Sequence, residues 1–177
     1  ASQGRGNADG SDLTWSNTHI DAGQRASITS GGDTTVKGAV VSAPHITAQV
    51  GTSGQGDLNI ESLQDTSKFD SKQSSIGGSL TIGAGVSASI SASKSRIHSD
   101  YASVTEQSGI RAGDEGFNIQ VAGNTDLKGA AITSTQQAID NNKNTFQTAG
   151  QTAAQALQSA ALTTSDIQNR ADYNAKS

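Results

Sequence analysis

Apolar and polar residues alternate in short runs along most of this chain, and glycines or polar pairs break the runs every few positions. Ile28, Val36, Val40, Ile46 and Val50 succeed one another in this way through ASITSGG, DTTVKGAVVSA and PHITAQV. Alternation with period two predicts half-buried strands, and the interruptions predict corners. One phrase recurs. GDTTVKGAVV at Gly32–Val41 returns 91 residues later as GNTDLKGAAI at Gly123–Ile132. Weaker forms begin at Gly10 (GSDLTW), Gly56 (GDLNI), Gly78 (GSLTI) and Ser99 (SDYASV). The six starts are spaced by 22, 24, 22, 21 and 24 residues. Strand-like repeats of that length predict a solenoid, whose units bury a core only by stacking on one another.

In this reading Gly32, Gly38, Gly56, Gly78, Gly123 and Gly129 form structural corners, where glycine reaches backbone angles closed to β-branched residues. Val36, Val40, Ile60, Leu80, Ile82, Val104, Leu127 and Ile132 fill the core. Pro44 falls at a corner, where it removes no ladder hydrogen bond, and Trp15 covers the first rung. Six rungs at ~4.8 Å each make a rod of about 29 Å.

The rest of the chain divides by composition. Residues 1–10 are polar and glycine-rich and are expected to fray as an N-terminal arm; residues 11–135 carry the repeats. Residues 136–161 are rich in Ala and Gln, with the best helix propensity at Gln151–Ala161, and predict a short helix or loop instead of a rung. Residues 162–177 return to a strand pattern through Leu162, Ile167 and Tyr173, as a terminal rung or cap. Ile76–Ser95 alternates too, but with Ser, Ala and Gly on both faces. Such a strand specifies its register weakly, so this segment can leave the coil as an antiparallel extension.

Composition narrows the function classes. Only 3% of residues are aromatic and 32% hydrophobic, so the core is thin and shared between rungs. With twelve scattered Lys and Arg and a net charge of −4, the chain has no electrostatic case for nucleic acid. No run approaches the ~20 apolar residues of a membrane span. No charged and apolar leader opens it, so Ala1 is expected to begin a mature or excised piece. There is no cysteine, hence no disulfide framework and no thiolate metal site.

No motif points to catalysis. His19, His45 and His98 fall in separate repeats and read as polar corner residues. Carboxylates cluster slightly at Asp65 with Asp70 and at Asp114 with Glu115. A glycosidase needs two carboxyl groups about 5 or 6.5–9.5 Å apart, and spacing in the chain does not supply that. SGGDTTVKG lacks the Lys-Ser/Thr ending of a phosphate loop, and the ~22-residue period is not that of calcium-binding nonapeptides. The expectation is no enzyme, no cofactor and no metal. Asn17, Asn59 and Asn124 at turns are expected to form ladders along the stack.

Two segments carry a family resemblance: GGDTTVKGAVVSA … GDLNIESLQDTSKFDSKQSS at 31–75 and DYASVTEQSGIRAGDEGFNIQVAGNTDLKGAAITST at 100–135. They resemble the haemagglutinin repeats of filamentous-haemagglutinin-like exoproteins. These belong to the two-partner secretion class, which includes the CdiA-type effectors of contact-dependent growth inhibition in Gram-negative bacteria. The tail LTTSDIQNRADYNAKS is similar to the segment after such repeats, and Ala149–Ala161 looks like extra length. The resemblance implies a right-handed parallel β-helix in a long secreted rod, exported through an outer-membrane transporter and displayed at the cell surface, with periplasmic retention before delivery possible. It implies a structural, non-catalytic segment taking part in toxin delivery. Its implied partners are neighbouring repeats and a receptor or outer membrane on the target cell. An alternative is an adhesin shaft that binds a cell-surface glycan or receptor, which exposure of Trp15 or Tyr101 would favour. A third is a membrane-inserting translocation element formed by Ile76–Ala92.

Overall fold

The computed structural model describes residues 2–82 and 86–176. The chain is all-β in its bulk, with two helices of one turn or so. In chain order the elements are β1 (Ser2–Leu13), β2 (Thr18–Asp21), β3 (Arg25–Ser30), β4 (Thr34–Lys37), β5 (Ala39–Val50), β6 (Leu58–Glu61), β7 (Asp65–Ile82) and β8 (Val86–Ser103). They continue with β9 (Gly109–Val121), β10 (Thr125–Lys128), β11 (Ala131–Thr133), α1 (Gln136–Asp140), β12 (Thr145–Thr148), β13 (Gln151–Thr152), α2 (Ala153–Gln158), β14 (Leu162–Ser165) and β15 (Arg170–Lys176). Two compact units result. One comprises Trp15–Gln64 and Val104–Ile167; the other comprises Ala1–Thr14, Asp65–Ser103 and Gln168–Ser177.

The first unit is built of parallel ladders. β4, β6, β10 and β14 lie side by side in one sheet, all parallel. The second sheet runs β2, β5, β9, β12, β13, with β3 also on β5 and β11 also on β9. Every pairing in it is parallel except the short β12–β13 contact. Parallel register stacks like on like. Ile20, Val41, Ile110 and Ile132 form one column, and Ile28, Ala48, Ile119 and Phe146 another. In the other sheet Val36, Ile60 and Leu127 are in line.

The alternation seen in the sequence decides which residues go inside. Along β5, Val41, Ala43, Ile46, Ala48 and Val50 are buried; along β9, Ile110, Ala112, Ile119 and Val121 are. The phase slips once, between Ala43 and His45, where Pro44 stands opposite Gly113–Glu115. Proline cannot donate to a ladder, and the three facing residues bulge instead. These small side chains and the buried Leu58 and Ile60 make one continuous core cluster.

The second unit is a four-stranded sheet in the order β1, β7, β8, β15, antiparallel throughout. Among the described residues, none of the buried core belongs to it. β7 and β8 form a long hairpin, the antiparallel extension expected of Ile76–Ser95. Serine pairs knit it across the strands: the hydroxyls of Ser75 and Ser93 are 2.7 Å apart, as are those of Ser79 and Ser89.

Three expectations of the sequence fare differently here. The repeat starts at Gly32, Gly56 and Gly123 immediately precede the parallel strands β4, β6 and β10. Those at Gly10, Gly78 and Ser99 lie within β1, β7 and β8 of the antiparallel sheet. Alternation with period two is common to parallel and antiparallel strands, so the pattern alone could not separate them. The sheets are therefore mixed, not uniformly stacked. The 136–161 segment, expected to be helix or loop, also contributes β12, which pairs parallel with Asn118–Val121. Its two helices are short and bury only Ala138 and Ala156, while Leu157 is exposed. The expected frayed arm, residues 1–10, is strand β1 from Ser2 onward, fully paired with β7.

Candidate functional site

The recurring phrase builds a corner that is shared by three strands. Lys37, Glu61 and Lys128 are in register across β4, β6 and β10. Glu61 lies between the two ammonium groups, 2.9 Å from Lys37 Nζ and 3.0 Å from Lys128 Nζ. Hydrogen bonds from Lys37 and then Lys128 hold its carboxyl below the ordinary 4.5. The two lysines are those of the two copies of the phrase, and Glu61 stands at the same place in the weaker copy between them. Opposite charges in one column stabilise a parallel stack; three equal lysines there would repel.

The next position turns the chain. Gly38 and Gly129 have φ of +58° and +57°, the left-handed region. A Cβ on Gly129 would sit 2.7 Å from Ile167 Cδ1, and one on Gly38 would collide with Leu63 Cδ1. A large aliphatic residue thus closes both corners. Between them Ser62 takes the glycine's place and is buried. Its hydroxyl donates to Gly129 O at 2.6 Å and accepts from Ser108 N at 2.8 Å. Ser108 is also buried, and its Oγ accepts from Ala39 N at 3.2 Å. A second buried relay runs from Thr125 Oγ1 to Thr148 Oγ1 at 3.0 Å and on to Gly123 O at 2.8 Å. The sequence reading missed these hydroxyls. A signal existed: aligning GDLNIES with GDTTVKG puts Glu61 and Ser62 where Lys and Gly recur.

The remaining named residues fall in several places. Val40 and Ile60 are buried; Val36, Leu127 and Ile132 are partly buried and packed on the core cluster. Gly32 precedes β4, Gly56 and Asp57 precede β6, and Gly123 donates its N–H to Gly56 O at 2.9 Å. Gly78 lies inside β7 opposite Ile90, and Val104 comes directly after β8. The backbone of Leu80 and Ile82 belongs to β7, facing Ala88 and Val86; their side chains lie outside the described residues. None of these last four is in a parallel ladder.

The three histidines lie at separate places. His19 Nε2 lies 3.0 Å from Glu106 Oε2, with Arg111 3.9 Å from the same carboxylate. His45 Nδ1 lies 2.9 Å from Glu115 O, and His98 Nδ1 lies 2.7 Å from Asp70 Oδ1. Asp114 accepts from Thr135 Oγ1 at 2.7 Å. Among the described residues, no three of His, Cys, Asp and Glu gather in a group fit for a metal.

The antiparallel sheet has two unlike faces. Register places Arg5, Asn7, Lys72, Ser74, Lys94, Arg96 and their row neighbours Asp9, Asp70, His98 and Asp100 on one face. The opposite face carries Ser, Gly and Ala with Phe69, Ile97, Tyr101 and Tyr173. Trp15 and Tyr101 are 44% and 45% exposed. Among the described residues no helix is long and apolar enough to cross a membrane.

Parallel ladders with a recurring corner define a repeat protein. The chain belongs to the haemagglutinin-repeat family, whose profile matches residues 1–76 and again 70–161. Its particular likeness is to the CdiA toxins. It is 43% identical to "Toxin CdiA" of Escherichia coli over 96% of its own length. It is 42% identical to "Deoxyribonuclease CdiA" of Dickeya dadantii over 93%, and 42% identical to a "tRNA nuclease CdiA" of Escherichia coli over 96%. The chain spans only 4–5% of the length of these relatives. No solved structure matches it.

Proposed function

We propose that this chain is a structural, non-catalytic segment of a large secreted bacterial exoprotein. It forms a right-handed parallel β-helical rod that takes part in delivering a toxin to neighbouring cells by contact-dependent inhibition. The observation that carries this reading is the in-register parallel ladder of β4, β6, β10 and β14 beside that of β5 and β9. Such ladders extend by adding units and give length and stiffness. The nuclease names of the relatives describe those long proteins, and this stretch is a small part of each.

In this reading the partners are neighbouring repeats of the same chain, the outer-membrane transporter during export, and the target-cell outer membrane or a receptor on it. The protein works at the surface of a Gram-negative cell, and periplasmic retention before delivery belongs to the same proposal. The test is removal of this segment from a full-length exoprotein carrying a toxin of known activity. Surface display retained with neighbour inhibition lost is the expected result. Unchanged inhibition at equal display would overturn the proposal.

A second reading, an adhesin shaft, is favoured by the half-exposed Trp15 and Tyr101. Binding of the isolated chain to a glycan array, lost in Trp15→Ala or Tyr101→Ala, would put it first.

A further inference from the structure

The antiparallel sheet is not one motif; it is one complete hairpin flanked by two halves. Shifted forward by 91 residues, the spacing of the two strong phrases, β1 falls on Ser93–Val104. Ser2, Arg5 and Asp9 then coincide with Ser93, Arg96 and Asp100. β1 is therefore the counterpart of β8. A second correspondence comes from the parallel ladder: Leu58 and Leu162 both face Thr125, a separation of 104 residues. Shifted by that amount, Gln64, Phe69 and Lys72 meet Gln168, Tyr173 and Lys176. β15 is the counterpart of β7. The corners agree, since Leu63 closes on Gly38 as Ile167 closes on Gly129. The family profile also matches twice within the chain, at residues 1–76 and 70–161.

β1 is thus the returning arm of a hairpin whose outgoing arm is not in the sheet, and β15 is an outgoing arm without its return. Both are the edge strands, and each already pairs with the complete hairpin between them. β7 shows what such an arm does on both sides: it pairs with β8, its own return, and with β1, the return of the half before it. β15 has only the second kind of partner. Its outer edge carries unpaired backbone groups, which are a template for one more strand.

We infer that the outer edges of β15 and β1 are the docking sites for a second copy of this repeat. β15 of one copy pairs antiparallel with β1 of the next, so that successive repeats tile into one continuous antiparallel sheet. This rests on the reading of the chain as a repeat segment and adds a second ladder to it. The register derives from that of β7 and β8. Phe69 opposite Ser99 becomes Tyr173 opposite Ala8 of the next copy, and Asp70 opposite His98 becomes Asn174 opposite Asn7. The faces are kept: small and aromatic residues continue one side, charged residues the other.

The test is a tandem of two copies joined by the sequence of residues 74–92, the stretch that the two spacings leave between Ser177 and the next Ser2. The chain has no cysteine, so engineered pairs report register without background. Tyr173→Cys in the first copy with Ala8→Cys in the second is one pair; Asn174→Cys with Asn7→Cys is the other. Adjacent antiparallel pairs alternate between narrow and wide, so one of the two meets disulfide geometry. The expected result is a disulfide in most molecules for one pair under mild oxidation. The control Tyr173→Cys with Asp9→Cys, on opposite faces, gives at least tenfold less. Amide exchange at the outer edge of the first β15 slows in the tandem relative to the single copy. Equal cross-linking of pairs and control, unchanged exchange there, or a tandem with less β signal per residue than the single copy would each overturn the inference. The single chain's own thermal melt tests the rod reading separately.

Discussion

β5 and β7 are both long strands of alternating residues, yet their neighbourhoods differ completely. β5 carries Val41, Ile46, Ala48 and Val50 inward, and its parallel neighbours stack the same kind of residue above and below. β7 is mostly serine, threonine, lysine, glycine and aspartate, with Phe69, Ile76, Leu80 and Ile82 as its large apolar residues, and none of its described residues is in the core. The first kind of strand holds its place by apolar burial, at roughly 25 cal/mol per Å². The second holds by its backbone ladder and a few side-chain hydrogen bonds, each contributing about 1 kcal/mol net. A strand of small polar residues specifies its neighbour weakly, because neither of its faces is buried in a core. That is the property a tiling sheet needs.

The comparison is broken most forcefully by a cavity. Ile119→Ala, at a residue with 0% exposure, is expected to cost about 2–5 kcal/mol. Ile90→Ala in the hairpin, at 85% exposure, is expected to change stability by less than about 0.5 kcal/mol. Denaturant melts of the two variants check this directly. Gly129→Val forces a β-branched residue into φ +57° against Ile167. It is expected to cost about 2–4 kcal/mol from left-handed strain and overpacking together. An unchanged melt would show that the corner is not where the register puts it.

Smaller effects sharpen the picture within the corner. Ser62→Ala leaves Ser108 N without its buried acceptor and is expected to cost about 1–3 kcal/mol. Glu61→Gln removes the charge between Lys37 and Lys128. Its side chain is 30% exposed and the lysines about half exposed, so about 0.5–1 kcal/mol is expected. The sign of its shift sets the pH dependence. The folded-state pKa is depressed, so this contribution is full above the ordinary 4.5 and is lost as pH falls through the lowered value. Melts of the parent and Glu61→Gln taken from neutral to acid pH should converge at the acid end.

Much of the parallel unit was legible in the chain. The Lys-Gly corner recurs at Lys37–Gly38 and Lys128–Gly129, and the alternation along β5 marked Ile46 and Val50 among its inward residues. The antiparallel sheet was legible only for Ile76–Ser95, where small residues on both faces specify register weakly, although Leu80 and Ile82 within it also read as core. At Gly10 and Ser99 the weak phrases imitated rung starts, since strand alternation is the same whichever way the neighbour runs. β12 was hidden because Thr145–Thr148 holds one apolar residue, Phe146, and short strands take their identity from the ladder that receives them. Ser62 and Ser108 were hidden because a buried hydroxyl is set by partners 67 and 69 residues away in the chain, which no local pattern records.

The most direct test of the contrast between the two units is native-state amide hydrogen exchange, resolved by strand. Protection measures the free energy of opening each region. The slowest exchange is expected in β5, β6, β9 and β10, with β1, β7, β8 and β15 exchanging orders of magnitude faster in the single copy. Equal protection across both groups, or a hairpin that outlasts β5 and β9, would contradict it.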